Sequence, residues 1–489
     1  MSQPLDTLII GAGTAGLAAL REVRKRTDRY LIVNEGPWGT TCARVGCMPS
    51  KALIEAANAF HRRHAFEAFG LRGAEGLTAD IAAVLQRVRA LRDQFVAGAL
   101  QATDTLGAAR MAGRATVLGP NAVDIDGTPY ATRSIIIATG SRPRVPDEWL
   151  AFGDRILTTD TLFEQPTLGP RVAVIGMGVI GVEIAQALAR LGIEVAAFTT
   201  GNTLAGLKDP TLNAELAAVL KQEMLLHTGA PAELREVPGG IEVSSGPNRV
   251  VVDQVIAAMG RVPNIEHLGL ETLGVPLNPR GMPAVNPQTQ QIGDLPVFLA
   301  GDANTHAPLL HEAADEGHIA GINAMACALT PAAAPAAAPA AIPKPTRFQR
   351  RTPLAIVFAI RRWPWWASAW PTWTAPTPSP ALSALPTRAA PAPPSATVEP
   401  CMCMPTAPPA ACKAPKCAPP QPSTWPTCWH WPCSKSSPCT NCWACRSTTR
   451  CSKKACAPRC ATRPASWPML PTRPNPTSPR APPSVCPRW

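Results

Sequence analysis

The sequence predicts an α/β protein built on two Rossmann-like dinucleotide-binding domains, and three observations carry that expectation. A Gly11-Ala-Gly13-Thr-Ala-Gly16 loop follows a short apolar run near the start of the chain. A second loop, Gly176-Met-Gly178-Val-Ile-Gly181, repeats the pattern 165 residues later. Each loop leads into apolar residues at helical spacing and then into another apolar run, the strand–turn–helix–strand order that cradles a pyrophosphate. The duplication implies two separate dinucleotide sites in one chain.

Leu5 to Ile10 reads as a buried strand, and Thr14 to Arg24 as a helix with Ala15, Leu17, Ala18, Leu20 and Val23 on its apolar positions. In the turn between them, Gly11 allows the tight bend and Gly13 lets the backbone approach a pyrophosphate. Gly16 lets the helix pack closely on the strand, and the helix N-terminus supplies positive potential. Arg29 to Asn34 reads as the next strand. Glu35, 24 residues after Gly11, is placed to accept a hydrogen bond from an adenosine ribose.

Ile81 to Leu100 reads as a helix, and Ala108 to Thr132 as short β segments turning at Gly119-Pro120 and Gly127. Ser134 to Gly140 is a buried strand ending in a glycine turn; Arg171 to Phe198 is the second strand–helix–strand unit. Val251 to Gly260 and Val297 to Gly301 are further buried strands. From Ala328 to Pro345 the chain is rich in alanine and proline, the composition of a semi-rigid linker.

Cys42-Ala-Arg-Val-Gly-Cys47-Met-Pro-Ser-Lys51 begins 31 residues after Gly11. Five helical residues would separate the two Cα atoms by roughly 7.5 Å, outside the usual disulfide range of about 4.4–6.8 Å. A bridge therefore needs distorted backbone, which Gly46 permits, and strain of that kind suits a bond that must be readily reduced. The competing readings are two core cysteines or half of a zinc site.

Composition divides the chain in two. Residues 359–489 hold 15 Lys and Arg but one acid, Glu399, while the first 358 hold 31 basic and 33 acidic residues. The overall charge of +12 thus belongs to the tail, and the head carries no signal for nucleic-acid binding. Only Cys42, Cys47 and Cys327 lie in the head, against 13 cysteines in the tail. That economy fits a reducing compartment with a catalytic pair. No run reaches the roughly 18 apolar residues of a membrane span, and no leader precedes the first strand, so a soluble cytoplasmic protein is expected.

Gly-Thr-Thr-Cys42-Ala-Arg-Val-Gly-Cys47-Met-Pro-Ser-Lys51 resembles the active-site signature of the pyridine nucleotide–disulfide oxidoreductases, most closely of the dihydrolipoyl dehydrogenase type. Ala138-Thr139-Gly140-Ser141-Arg142-Pro143 resembles the turn where such chains leave the flavin domain, and Met259-Gly260-Arg261-Val262-Pro263-Asn264 the return crossing. Phe298-Leu-Ala-Gly301-Asp302-Ala303 resembles the second flavin motif, whose aspartate bonds the ribityl chain. The motifs keep the family's order over roughly residues 5–358.

The resemblance implies FAD at the first loop and NAD at the second. Cys47 would be the flavin-side thiolate and Cys42 the sulfur that exchanges with a dithiol. Lys51 and Glu183 match the pair beside the flavin ring, where a cation stabilises the reduced ring; otherwise Lys51 reads as an exposed helix lysine and Glu183 as a surface or capping acid. The implied reaction oxidises dihydrolipoamide, carried on the lipoyl domain of a 2-oxo acid dehydrogenase or related complex, and reduces NAD. A mercuric or glutathione type of disulfide reductase is the nearest alternative. Thr199 stands where NAD-using relatives carry an acid, and no arginine replaces it.

The implied domains are 1–148, FAD-binding; 149–264, NAD(P)-binding; 265–330, the FAD-binding return; 331–350, the Ala/Pro linker; and 351–358, the start of an α+β dimerisation domain. Residues 359–489 are expected to be an out-of-frame, disordered tail. They contain no glycine and no aspartate, but 11 of the 13 tryptophans. Loss of one base from a GC-rich gene turns leucine and valine codons into Cys and Trp. Read one frame over, Ala359 to Ala367 can encode Asp-Pro-Ala-Val-Ala-Val-Val-Gly, and Arg446 to Cys456 can encode Phe-Tyr-His-Pro-Val-Leu-Glu-Glu-Gly-Leu. Both resemble dimer-domain strings of the family, the second carrying its His-Glu acid/base, so the chain as written is expected to bind FAD poorly or not at all stably, not to turn over dihydrolipoamide, and to form the family's homodimer only if the frame is intact. The rival reading makes the tail a metal- or nucleic-acid-binding appendage with Cys401-Met-Cys403, Cys439-Thr-Asn-Cys442 and Cys442-Trp-Ala-Cys445 as ligand spacings.

Overall fold

The computed structural model describes residues 3–330, 345–352 and 354–359, together with the backbone of 362–366. The first domain opens with β1 (Thr7–Ile10), α1 (Thr14–Val23) and β2 (Tyr30–Asn34), followed by α2 (Thr41–Arg44), α3 (Cys47–His61), α4 (Ile81–Asp104) and β3 (Arg110–Ala112). A three-stranded antiparallel sheet follows, β4 (Ala115–Gly119), β5 (Ala122–Ile125) and β6 (Thr128–Ala131). Then comes β7 (Ile135–Ile137), which returns beside β1. These three strands of the main sheet read as unbroken apolar runs because both faces are covered.

The chain leaves through β8 (Ser141–Pro143) and enters the second domain at β9 (Ile156–Leu157) and α5 (Thr159–Leu162). There β10 (Arg171–Ile175), α6 (Val179–Arg190) and β11 (Glu194–Thr199) repeat the opening of the first domain. They continue into α7 (Pro210–Glu223), β12 (Leu225–Thr228) and an antiparallel trio, β13 (Glu233–Val237), β14 (Gly240–Ser245) and β15 (Asn248–Val252), before β16 (Gln254–Ala257). The return runs through β17 (Arg261–Pro263) to β18 (Val297–Leu299) and α8 (Leu310–Leu329). After the undescribed stretch, β19 (Leu354–Phe358) pairs antiparallel with β20 (Arg362–Trp366).

Two five-stranded parallel sheets result, ordered β18-β7-β1-β2-β3 and β12-β11-β10-β16-β9. The expected α/β class and its two Rossmann-like units are therefore present, with helix α4 extending four residues beyond its expected end. In the first domain α1 lies close against α8: a Cβ on Gly317 would stand 2.0 Å from the Ala15 carbonyl oxygen, so only glycine permits the approach. In the second, α6 is buried along most of its length, and Leu53, Ile54 and Ala57 of α3 share one core with Val182, Leu188 and Val357. That core fixes α3, which carries Cys47 and Lys51, against the second domain.

The last residues of the stretch expected to be linker are docked on the first domain. Thr346 N–H donates to Asn323 Oδ1 at 2.9 Å, and Phe348 N–H to the Gln288 carbonyl at 3.1 Å. The backbone of Arg362–Trp366 forms a strand, so the first residues of the segment expected to be unstructured are ordered along β19. The remaining tail, with its candidate metal spacings and the second of its frame-shifted strings, lies outside the described residues. No helix among those described is long and apolar enough to cross a membrane.

Candidate active site

The two glycine loops solve the same steric problem in the same way. Gly11 has φ +102° and a Cβ there would lie 2.3 Å from the Ala138 oxygen; Gly176 has φ +98° and its Cβ would lie 2.4 Å from the Ala258 oxygen. A Cβ on Gly16 or Gly181 would meet the carbonyl of the first glycine of its own loop at 1.9 or 1.8 Å. The middle glycines differ: the nearest atom to a Cβ on Gly13 is 4.0 Å away, and Gly178 faces open space. Each loop thus leaves one bare backbone position beside an uncapped helix N-terminus, where no side chain bonds the first N–H groups. Such a cradle suits a pyrophosphate.

The second half of the first site is equally prepared. The Thr139 hydroxyl is buried with no hydrogen-bond partner among the described residues, a group a bound ligand can satisfy. Asp302 Oδ2 accepts the Ser141 hydroxyl at 2.8 Å, and α8 starts nearby without a side-chain cap. Gly301 takes φ +75°, and its N–H donates to Glu316 Oε2 at 2.7 Å. Glu35 is exposed at the end of β2. These residues fit FAD.

Cys42 and Cys47 lie on two helices that Gly46 breaks apart, with φ −115° and ψ −112°. The distortion expected at Gly46 is therefore present. Both cysteines are half-buried, and as thiols they share a hydrogen bond between Cys42 and Cys47. That hydrogen bond pulls the Cys47 thiol down to about 7 against the opposing effect of burial, and the Lys51 charge helps. Cys47 also opens α3, where the helix terminus favours a thiolate. The same hydrogen bond, with burial, pushes Cys42 well above the ordinary thiol range. Just upstream, Thr40 holds φ +64°, a strained conformation for a β-branched residue, and its side chain caps Ala43 N–H at 3.1 Å.

Lys51 is not a free surface lysine. Its Nζ lies 2.6 Å from Glu183 Oε2, and Glu183, on α6 of the second domain, is only 4% exposed. The other carboxylate oxygen accepts the backbone N–H of Phe358 at 2.9 Å, and the Phe358 ring lies 4.6 Å from the ammonium. Three separate segments therefore meet beside the cysteine pair.

The crossings between domains pair as an antiparallel ribbon, β8 with β17. Arg261 Nε donates to Ser141 Oγ at 2.8 Å, Asn264 N–H to the Gly140 carbonyl at 2.9 Å, and Asn264 Nδ2 to the Thr139 carbonyl at 3.0 Å. Gly260, with φ +93°, turns the chain into this ribbon. Arg261, Ser141 and Asp302 thus form one hydrogen-bonded chain.

The sequence of residues 5–317 matches the profile of the pyridine nucleotide-disulphide oxidoreductases. The chain belongs to that family. It is 32% identical over 335 residues to the dihydrolipoyl dehydrogenase of Thermus scotoductus, covering 65% of this chain and 70% of that protein. It is 30% identical over 332 residues to the mercuric reductase of Staphylococcus aureus (66% and 60% covered), and 30% identical over 320 residues to the glutathione reductase of Burkholderia cepacia (64% and 70% covered). Among solved structures, the fold resembles the HOCl-induced flavoprotein disulfide reductase RclA of Escherichia coli, with TM-score 0.59 and 19% identity over 73% of this chain and 76% of that one. FAD and NAD(H) are the cofactors of this family member.

Three residues escaped the sequence reading. Asn34 lies directly at the first loop, where its Oδ1 accepts Ala12 N–H at 2.9 Å. Phe358 and Arg350 come from segments remote in sequence; Arg350 holds Glu312 at 2.7 Å and pairs with the buried Glu316. Asparagine at the end of a strand resembles an ordinary turn residue, and long-range partners leave no periodic signal.

Proposed function

We propose that this disulfide oxidoreductase is of the dihydrolipoyl dehydrogenase type, oxidising dihydrolipoamide and reducing NAD. The carrying observation is the Cys42–Cys47 pair, with one thiol held near neutrality beside the Lys51–Glu183 ion pair. When bound, FAD supplies the two-electron relay between this pair and the nicotinamide.

The chain's residues divide the exchange between them. A substrate thiolate attacks Cys42 of the bridged pair and releases Cys47, whose low pKa makes it the better leaving sulfur. The second substrate sulfur then closes on the first and releases Cys42 as a thiol, leaving the substrate oxidised and the pair reduced. Lys51 faces the Cys47 charge, and Glu183 keeps Lys51 in place. Gly11, Gly13, Gly16, Glu35, Thr139, Gly140, Ser141, Gly301 and Asp302 form the FAD cradle; Gly176, Gly178 and Gly181 hold the nicotinamide dinucleotide, and Gly260 and Arg261 form the return crossing, where Arg261 bonds Ser141.

The acid/base that moves the substrate proton belongs, in this reading, to the string encoded one frame over within Arg446 to Cys456. The chain as written therefore exchanges dithiols slowly, and a homodimer with its lipoyl partner requires the restored frame. A cytoplasmic location follows from a pair that must stay reducible. Resequencing the DNA for Arg351 to Ala367 tests the frame; one additional base near Phe358 supports it. Dihydrolipoamide-dependent NADH formation by the restored chain tests the substrate. Preference for glutathione disulfide or Hg(II) would instead favour the reductases that match at similar identity.

A further inference from the structure

The strand end that follows the second glycine loop carries no charge. Register fixes the comparison with the first domain. Ile10 pairs with Val33 and Ile175 with Phe198, and the N–H of Gly11 or Gly176 donates to the carbonyl of that partner. Thr199 and Thr200 therefore occupy the positions of Asn34 and Glu35. A dinucleotide laid over such a turn brings its adenosine 2′ position to this strand end. A carboxylate there accepts the ribose hydroxyls and repels a 2′-phosphate, whereas an arginine attracts the phosphate.

Neither is present. From Val195 to Leu207 no side chain is acidic or basic. Glu194 stands at the opposite end of β11, roughly 17 Å away at about 3.3 Å per residue. Lys208 and Asp209 lie beyond the turn, and Asp209 is spent capping α7 through the N–H groups of Thr211 and Leu212. On β12, His227 pairs with Phe198 and stacks on its ring at 4.9 Å; burial lowers its pKa, so it adds no positive charge at neutral pH.

The turn is nonetheless well held. Gly229 N–H donates to the Thr199 carbonyl at 3.0 Å, Asn213 Nδ2 to the Asn202 carbonyl at 2.7 Å, and Leu204 N–H to Asn213 Oδ1 at 2.7 Å. Between Val195 and Leu207 only neutral polar groups are present to meet a ligand. A threonine hydroxyl can accept from a ribose 2′-hydroxyl or donate to a 2′-phosphate oxygen.

We propose that Thr199 and Thr200 make the second dinucleotide site indifferent to a 2′-phosphate, so that the protein binds NADH and NADPH with affinities within about tenfold. This rests on the reading of the Gly176–Gly181 loop as the nicotinamide dinucleotide site. Calorimetric titration of the full chain with ADP-ribose and with 2′-phospho-ADP-ribose tests it without turnover. Dissociation constants within about tenfold of each other support the inference, and a larger preference for either ligand overturns it. Binding of neither ligand sinks the site reading itself. Thr200→Glu, which places a carboxylate at the position of Glu35, is expected to weaken the phosphorylated ligand by roughly a hundredfold, the size of a desolvated like-charge contact, while ADP-ribose binding is kept. Thr200→Arg, of opposite charge at the same position, is expected to strengthen the phosphorylated ligand at least tenfold. Unchanged ratios in both variants place the 2′ position elsewhere and refute the proposal.

Discussion

The backbone N–H of Phe358 donates to Glu183 Oε1 at 2.9 Å, joining residues 175 apart in the chain. Glu183 in turn holds Lys51, and the Phe358 ring covers that ammonium. A short strand after the Ala/Pro stretch thus completes the surroundings of the redox pair. Phe358→Pro removes the donor and leaves a buried carboxylate oxygen unpaired, a loss of about 1–3 kcal/mol. Phe358→Leu keeps the backbone bond and loses only the ring contact, about 0.5–2 kcal/mol. Denaturant unfolding should therefore rank proline as the more damaging; equal stability of proline variant and parent would show that the contact contributes nothing.

Cys47 should react with iodoacetamide as a thiolate whose titration centres near pH 7, with Cys42 protected. Peptide mass spectrometry across pH 5 to 9 reads this directly. Cys42→Ala removes the hydrogen-bond donor, so the Cys47 midpoint should move up. Preferential alkylation of Cys42 at pH 7 would reverse the assigned roles.

The same group sets a stability trend. Its folded pKa of about 7 lies below the unfolded thiol value of about 8.5. Between those values the unfolded chain binds more protons, so stability rises with pH and is lost again as pH falls through 7. The difference between the reduced parent and Cys47→Ser should grow over this window by of order 1–2 kcal/mol. A flat difference would mean that Cys47 titrates normally.

Lys51 and Glu183 pull Cys47 in opposite directions, the lysine down and the carboxylate up. Lys51→Met should raise the alkylation midpoint, and Glu183→Gln should lower it. Shifts of the same sign in both variants would separate the ion pair from the thiol.

The glycines make a steric prediction. Gly16→Ala and Gly181→Ala place a methyl group inside 2 Å of a carbonyl oxygen and should destabilise their domains. Gly178→Ala meets nothing and should leave the unfolding midpoint nearly unchanged while weakening ADP-ribose binding by tenfold or more. Loss of stability in the Gly178 variant would contradict the open cradle.

Much of this was legible in the sequence because glycine loops and buried strands are local signals. Gly11, Gly16, Gly176 and Gly181 announce their turns by spacing, and Cys42 and Cys47 announce theirs through Gly46. Lys51 and Glu183 are legible only through the family resemblance, since nothing local joins a helix lysine to a carboxylate 132 residues on. Phe358, Arg350 and Asn34 were not legible. Their roles depend on tertiary neighbours, and the equivalence of Asn34 with Thr199 emerges only from strand register. The early ordering along Arg362–Trp366 was likewise hidden, because composition argues against structure while backbone pairing requires none of the missing residue types.

The most direct test of the account is anaerobic reduction of the full chain by NADH with FAD supplied in excess, followed by counting newly alkylated thiols. The account predicts two additional thiols per oxidised chain, located at Cys42 and Cys47, and their loss from the Cys47→Ser variant. Oxidation of NADH with bound flavin but no gain of thiols at these positions would contradict a redox role for the pair.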